Sequence, residues 1–232
     1  MNQRYTSLGK IFVRHFIRSI TCLLMVLCVS LPASPFDSPL SDEAVREAYF
    51  LGQRHDGTFP LILSKYIKTL PPPKSGPYIS SVTLLTPFIQ LVEHSDGYIG
   101  NYSAQKALLE HRGQEEFVLI FIDIQLTDTF GRLIPPPPNW RSRSPEAWVP
   151  RPSDFWRDFQ VQIYDAGKLV TPYDFHGRST YGCGRRGPCI LTGATLEFDF
   201  RAESFTSDSA AIQVIPPEGD PVSVDFDLDH LR

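Results

Sequence analysis

The sequence predicts an α+β protein in which short N-terminal helices, with a strand or two, precede an antiparallel β-sandwich. Residues 41–112 contain several short stretches with helical periodicity, whereas the later apolar runs alternate with polar residues. The chain also contains 21 prolines among 232 residues, about 9% against a usual ~5%. This excess favours long loops and short elements over a helical bundle.

The first helix is predicted over 41–55, because Ser41 can cap it and Asp42 and Glu43 suit its positive end. Val45, Ala48 and Tyr49 would form its buried stripe. Three further helices and one strand follow from the same signals, with helices over 60–69, 87–94 and 104–111 and the strand over 78–85.

The second half of the chain has the period of β-strands. Residues 117–122 are apolar on both faces, which is typical of a central strand covered on both sides. The runs 159–164, 196–201 and 222–228 alternate instead, so each is expected to bury one face and expose the other. Several such strands at short spacing indicate a sandwich or a partly open barrel.

Residues 1–33 have the pattern of a secretory signal peptide. Four basic residues precede an apolar run of about a dozen residues, which ends at Pro32-Ala33-Ser34. Spanning a bilayer needs roughly 20 apolar residues, so cleavage after Ala33 is preferred over a permanent anchor. If the segment stays uncleaved, it would be the only contact of this protein with a membrane.

Cleavage would change the net charge of the protein. The leader holds four of the 22 basic residues and none of the 26 acids, so the exported part would carry a formal charge of −8. A globally basic nucleic-acid binder is therefore excluded, and no nucleic-acid partner is expected. We predict that residues 34–112 form a mainly helical segment and that residues 113–232 form the sandwich-like domain.

A loop rich in proline, tryptophan and arginine interrupts the second half at residues 131–158. Because Trp and Arg are enriched at interface hot spots, we predict a ligand or partner surface there. The residues expected to form it are Trp140, Arg141, Arg143, Trp148 and Trp156. The alternative is that the tryptophans fold back and cover the sheet.

Cys183 and Cys189 are the two cysteines that remain after cleavage, and we expect them to form a disulfide. The bond would staple a hairpin tip. Its functional alternative is an anion-binding tip that uses Arg178, Arg185 and Arg186. The stretch Gly182–Gly187 formally matches a dinucleotide fingerprint, but a proline and a strand follow where a helix would be needed.

Other polar groups give weaker signals. Asp123 lies within the most apolar strand and is expected near the exit of that strand or beside an arginine. Asp225, Asp227 and Asp229 are expected on a solvated face. The histidines have no metal-ligand spacing, so neither a metal nor a cofactor is predicted. Motifs for serine hydrolases, zinc proteases and nucleotide binding are missing from the sequence, and no catalytic residue is assigned.

Four blocks of the N-terminal half have a familiar spacing. These are Ala48–Arg54, Gly76–Ile79, Thr86–Gln90 and Tyr102–Gln105. They resemble an uncharacterised family of exported bacterial proteins, over roughly residues 41–130. The resemblance implies a bacterial, exported origin and imports no functional residue.

The preferred function is therefore a non-catalytic binding or scaffold protein of the bacterial envelope, periplasmic or extracellular, with a protein or polymer partner. The alternative is a hydrolase that acts on an envelope polymer with carboxylates from the sheet. A cleft joining Asp123 or the Asp225–Asp229 row to the tryptophans would favour the hydrolase. A third possibility is assembly by strand addition at an open sheet edge.

Overall fold

The computed structural model describes residues 35–97, 102–136, 148–185 and 187–232. The predicted leader, residues 1–33, lies outside these ranges. The described residues form four α-helices: α1 (Asp42–Gly52), α2 (Thr58–Leu63), α3 (Pro87–Asp96) and α4 (Ala104–His111). None of these helices is long and apolar enough to cross a membrane.

Eleven strands occur in the same ranges. They are β1 (Ile67–Thr69), β2 (Tyr78–Leu85), β3 (Phe117–Gln125), β4 (Leu133–Ile134), β5 (Val149–Pro150), β6 (Gln160–Asp165), β7 (Lys168–Val170), β8 (Asp174–Cys183), β9 (Cys189–Arg201), β10 (Ser209–Ile215) and β11 (Val222–Asp227).

The strands form two larger sheets and one short ladder. A five-stranded sheet has the order β1-β2-β3-β9-β8, a four-stranded sheet has the order β11-β10-β6-β7, and β4 pairs with β5. The pairs are antiparallel. The predicted α+β class with antiparallel sheets is confirmed. The five-stranded sheet combines strands from both sides of residue 112.

The N-terminal helix starts where its capping residues predict. Ser41 Oγ accepts a hydrogen bond from the backbone N–H of Ala44 at 3.1 Å, which satisfies one free donor of the first turn. Ala48 is fully buried, and the Cα of Gly52 lies so close to α3 that an added β-carbon would stand 2.3 Å from the carbonyl oxygen of Val92. Small residues on α1 therefore let the two helices approach closely.

The predicted helix over 60–69 is wrong in its second half. Helix α2 ends at Leu63, a short 3-10 turn covers Ser64–Tyr66, and residues 67–69 form strand β1. The backbone of β1 pairs with β2, with Ile67 opposite Thr83. This ladder satisfies backbone groups that an isolated last helical turn would leave to water, so the tertiary pairing overrides the local helical pattern.

Strand β3 is central, as its apolar run predicts, because it lies between β2 and β9. Val118, Ile120, Ile122 and Ile124 are buried on one face, in a hydrophobic core that also contains side chains of the four-stranded sheet. The residues between them, including Asp123, are only partly buried. This second face of the five-stranded sheet forms the floor of the candidate site.

Candidate functional site

A groove lies over the ends of β3 and β9, beside the β4–β5 ladder. Its volume is about 1260 Å³. Hydroxyl side chains line much of it, and they are Ser80, Ser81, Thr127, Thr180, Thr192 and Thr195. A second pocket of about 780 Å³ adjoins the groove, because both are lined by Asp123 and Thr195.

Asp123 occupies the centre of this floor. Its Oδ2 accepts a hydrogen bond from Ser81 Oγ at 3.0 Å and its Oδ1 accepts one from Thr195 Oγ1 at 2.8 Å. The three residues are direct neighbours across β2, β3 and β9. Asp123 is thus third from the end of its strand and bonded to two hydroxyls rather than to an arginine. Each carboxylate oxygen has a second lone-pair site that a ligand donor could use.

Trp148 lies at the wall of the groove. Its side chain is 62% exposed, and Leu133, 45% exposed, lines the same wall. Leu133 belongs to β4 and Trp148 directly precedes β5. The sequence did not predict the β4–β5 ladder within the loop at 131–158. The ladder is held at its base by Arg151, whose Nε donates to the carbonyl oxygen of Gly131 at 2.8 Å. The guanidinium carbon of Arg151 lies 3.5 Å from the centre of the Phe130 ring.

Trp156, unlike Trp148, packs against the protein. It is partly buried against the core, and its ring meets that of Phe175 edge-on with the centres 5.8 Å apart. The guanidinium of Arg157 covers it at 5.2 Å. Trp156 therefore covers the sheet, whereas Trp148 is open to a ligand. Trp140, Arg141 and Arg143 lie outside the described residues.

The predicted disulfide between Cys183 and Cys189 is confirmed and closes the β8–β9 hairpin. Of the arginines predicted to form an anion-binding tip, Arg185 is exposed at the tip and Arg186 lies outside the described residues. Arg178 is opposite Thr195, five residues before Cys183 and so roughly 16 Å away along an extended strand. Arg178 lines the pocket beside Asp123 instead of joining the tip.

Two well-bonded carboxylates hold the fold together. Glu116 accepts hydrogen bonds from Leu40 N at 2.6 Å, His111 Nε2 at 2.8 Å and Ser38 Oγ at 2.7 Å. Asp165 is 5% exposed and accepts bonds from the backbone and hydroxyl groups of Thr206 and Ser207. Burial raises the pKa of each carboxyl, but the hydrogen bonds outweigh it, and both pKa values lie below the ordinary range. Both residues are structural, and neither lines the groove.

The carboxyl of Asp199 differs from those of Glu116 and Asp165, because its pKa is raised rather than lowered. Its Oδ1 is buried and accepts no hydrogen bond from the described residues. Burial, followed by repulsion from Asp174, raises the pKa of its carboxyl. Asp174 is its direct neighbour on β8 and contacts His176 Nε2 at 3.1 Å. The alternation of β9 predicts that Asp199 lies on the polar face of the strand. The sequence alone does not predict that β8 places Asp174, rather than a hydrogen-bond donor, beside this carboxylate.

The acidic residues near the C-terminus form no binding site in the described structure. Asp225 and Asp227 are exposed, while Asp229 lies in a 3-10 turn after β11. In residues 35–97, 102–136, 148–185 and 187–232, no group of three or more His, Cys, Asp or Glu side chains is placed to hold a metal ion.

Comparison with known proteins adds no assignment. No protein-family model matches the sequence, and a search of curated proteins finds no significant match. Any functional statement about this chain therefore depends on the groove and on the pattern of its sequence.

Proposed function

We propose that the protein is an exported, non-catalytic binding protein of the bacterial envelope whose groove holds an extended, hydroxyl-rich polymer such as a glycan. The observation that carries this proposal is the pairing of an exposed indole, Trp148, with the fixed carboxylate of Asp123 in one groove. An aromatic face supplies an apolar platform, and a carboxylate accepts hydrogen bonds from hydroxyl donors.

The hydrogen bonds of Asp123 favour ligand binding over catalysis as the role of this carboxylate. Both of its oxygens are already bonded to hydroxyls from neighbouring strands, so its orientation is preset before a ligand arrives. Preorganised acceptors reduce the entropy that binding has to offset. The surrounding serines and threonines can donate or accept, which suits a ligand with many hydroxyl groups.

Export and envelope residence are part of the same proposal. The leader-like pattern of residues 1–33 supports them, as does the disulfide, because such bonds persist in oxidising compartments. The resemblance of residues 41–130 to exported bacterial proteins is in keeping with this reading. We also propose that the five-stranded and four-stranded sheets pack as a sandwich, since buried residues of both belong to one core.

The binding test compares two tryptophans that occupy opposite environments. Trp148→Ala should weaken co-sedimentation with purified peptidoglycan sacculi at least about fivefold, since stacking platforms are worth ~1–3 kcal/mol. It should leave the melting temperature unchanged. Trp156→Ala is the matched control that lowers the melting temperature, because its ring packs on the core. Wild-type protein that does not bind sacculi, or a Trp148→Ala variant that binds as the wild type does, would contradict the proposal.

A hydrolase is the second candidate, because Asp123 and Asp128 both line the groove that contains Trp148. If the protein is a hydrolase, it should release soluble fragments from dye-labelled sacculi. Asp123→Asn and Asp128→Asn should each abolish this release. Binding without release favours the binding protein, whereas release that requires both carboxylates favours the enzyme.

A further inference from the structure

Strand β8 is an open edge of the five-stranded sheet. It is the last strand in the order and, among the described residues, pairs with β9 on one side only. It spans ten residues and contains neither proline nor lysine. Unpaired backbone donors and acceptors along such a strand are a template for another strand.

The other sheet edges in the described ranges are better protected. Strands β1 and β7 have three residues each. Strand β11 has six residues, follows Pro221 and carries the exposed Asp225 and Asp227. Short strands, prolines and charges are common devices against edge pairing. Strand β8 carries charges of both signs, Asp174 and Arg178, and its bulge between Thr180 and Tyr181 leaves the segment from Asp174 to Ser179 regular.

The side chains of this regular segment are complementary to themselves. Asp174, His176 and Arg178 share the groove face, with the acid at one end and the base at the other. In an antiparallel pair of two β8 strands with His176 on the two-fold axis, Asp174 of each copy lies opposite Arg178 of the other. Opposite charges at facing positions stabilise antiparallel pairs.

The opposite face of the segment fits the same register. Phe175 is 41% exposed although its ring stacks on Phe198 at 4.5 Å. In the two-fold register it lies opposite Gly177 of the second copy, beside the indole of Trp156 that covers that glycine. An exposed aromatic at an open edge is the kind of surface that a partner strand covers.

We propose that two copies of this chain associate through their β8 strands, antiparallel about His176, into one continuous ten-stranded sheet. The contact goes beyond the proposed binding function, because Asp174 does not line the groove. A two-fold interface must match itself, and this segment does so in charge. A strand pair of this length buries less than a standard interface, so we expect a Kd on the order of 100 μM.

Charge reversal tests the register. Asp174→Arg places two arginine pairs across the interface and should raise the Kd at least about tenfold in sedimentation equilibrium. Arg178→Asp should do the same by facing acids with acids. The double variant D174R/R178D should restore the wild-type Kd, and an equimolar mixture of the two single variants should form heterodimers. Because restoration requires a folded chain, this outcome separates the contact from misfolding.

A cysteine scan tests the axis independently. His176→Cys should give a disulfide-linked dimer under mild oxidation, since the two positions face each other, whereas Arg178→Cys should not. Wild-type protein that stays monomeric at about 1 mM, a double variant no better than the single ones, or equal cross-linking at both positions would overturn the proposal. Sacculi binding by Asp174→Arg, measured at concentrations where the wild type is monomeric, should be unchanged. Sacculi binding and self-association are measured independently, so either proposal can fail without the other.

Discussion

The indole of Trp156 lies directly on the Cα of Gly177. A β-carbon at position 177 would stand 2.3 Å from Cε3 of the ring and 2.4 Å from Cδ2. The glycine on edge strand β8 therefore lets the short 3-10 turn Phe155–Asp158 press its tryptophan against the sheet. This contact joins the end of the proline-rich loop to β8, the strand of the proposed dimer contact.

Gly177→Ala should destabilise the protein by about 1–3 kcal/mol, because the ring must move or the strand must shift. The loss should be smaller in a Trp156→Ala background, where the obstacle is gone, and a double-mutant cycle from denaturant unfolding measures the difference. Gly131→Ala is the control, since a β-carbon there would meet nothing closer than 3.6 Å. Equal losses from Gly177→Ala in both backgrounds would show that the contact is not responsible.

Glu116→Gln should destabilise the protein at neutral pH by about 2 kcal/mol, because the carboxylate accepts three hydrogen bonds, two from the segment before α1 and one from His111 at the end of α4. The folded-state pKa of Glu116 lies below its ordinary value of 4.5. The stabilisation is therefore fully present above pH 4.5 and is lost as the pH falls through the folded-state pKa.

Unfolding of wild type and Glu116→Gln at a series of pH values checks this sign. The two free energies of unfolding should converge in acid. Glu115→Gln is the matched control, since its side chain is 59% exposed and forms an ion pair with Arg201 at 3.3 Å. A difference between wild type and Glu116→Gln that does not change with pH would rule out the carboxylate as its source.

Local signals in the sequence predict the four described helices, α2 only in part, and five of the eleven described strands, namely β2, β3, β6, β9 and β11. The capping serines and Pro87 place α1, α3 and α4 closely, and alternation places β6, β9 and β11. Strand β1 is missed because its pairing partners lie 12 to 16 residues further along the chain, and a three-residue strand has no period of its own. Long-range pairing is the information that a single sequence lacks.

The candidate site is less predictable from the sequence than the fold. Asp123 and Trp148 attract notice separately, but only the sheet brings both to one groove. Arg178 looks like part of the cysteine-bridged tip because the two are near in sequence, yet extended β-geometry separates them. Ser81 and Thr195 have no signal at all, since their role comes from cross-strand register with Asp123.

Replacing Cys183 and Cys189 by serine should lower the free energy of unfolding by about 2 kcal/mol at most, because the closed loop is short. The cysteines are six positions apart at the end of an exposed hairpin. A reductant should destabilise the wild type by the same amount and leave the double variant unchanged. Two free thiols in native, unreduced protein that lacks residues 1–33 would contradict the bond.

Asp199→Asn should stabilise the protein at neutral pH, by a few tenths to about 1 kcal/mol. Burial and the neighbouring Asp174 raise the pKa of Asp199 above its ordinary value of 3.8, so the folded state disfavours the charged form. The penalty is present above the folded-state pKa and disappears as the pH falls below the unfolded value. The stabilisation by asparagine should therefore vanish near pH 3.8, as measured by denaturant unfolding across pH.

Asp225→Asn, at an exposed position, should change little at any pH. If Asp199→Asn destabilises the protein at neutral pH, then the buried oxygen has a donor that its described surroundings do not supply.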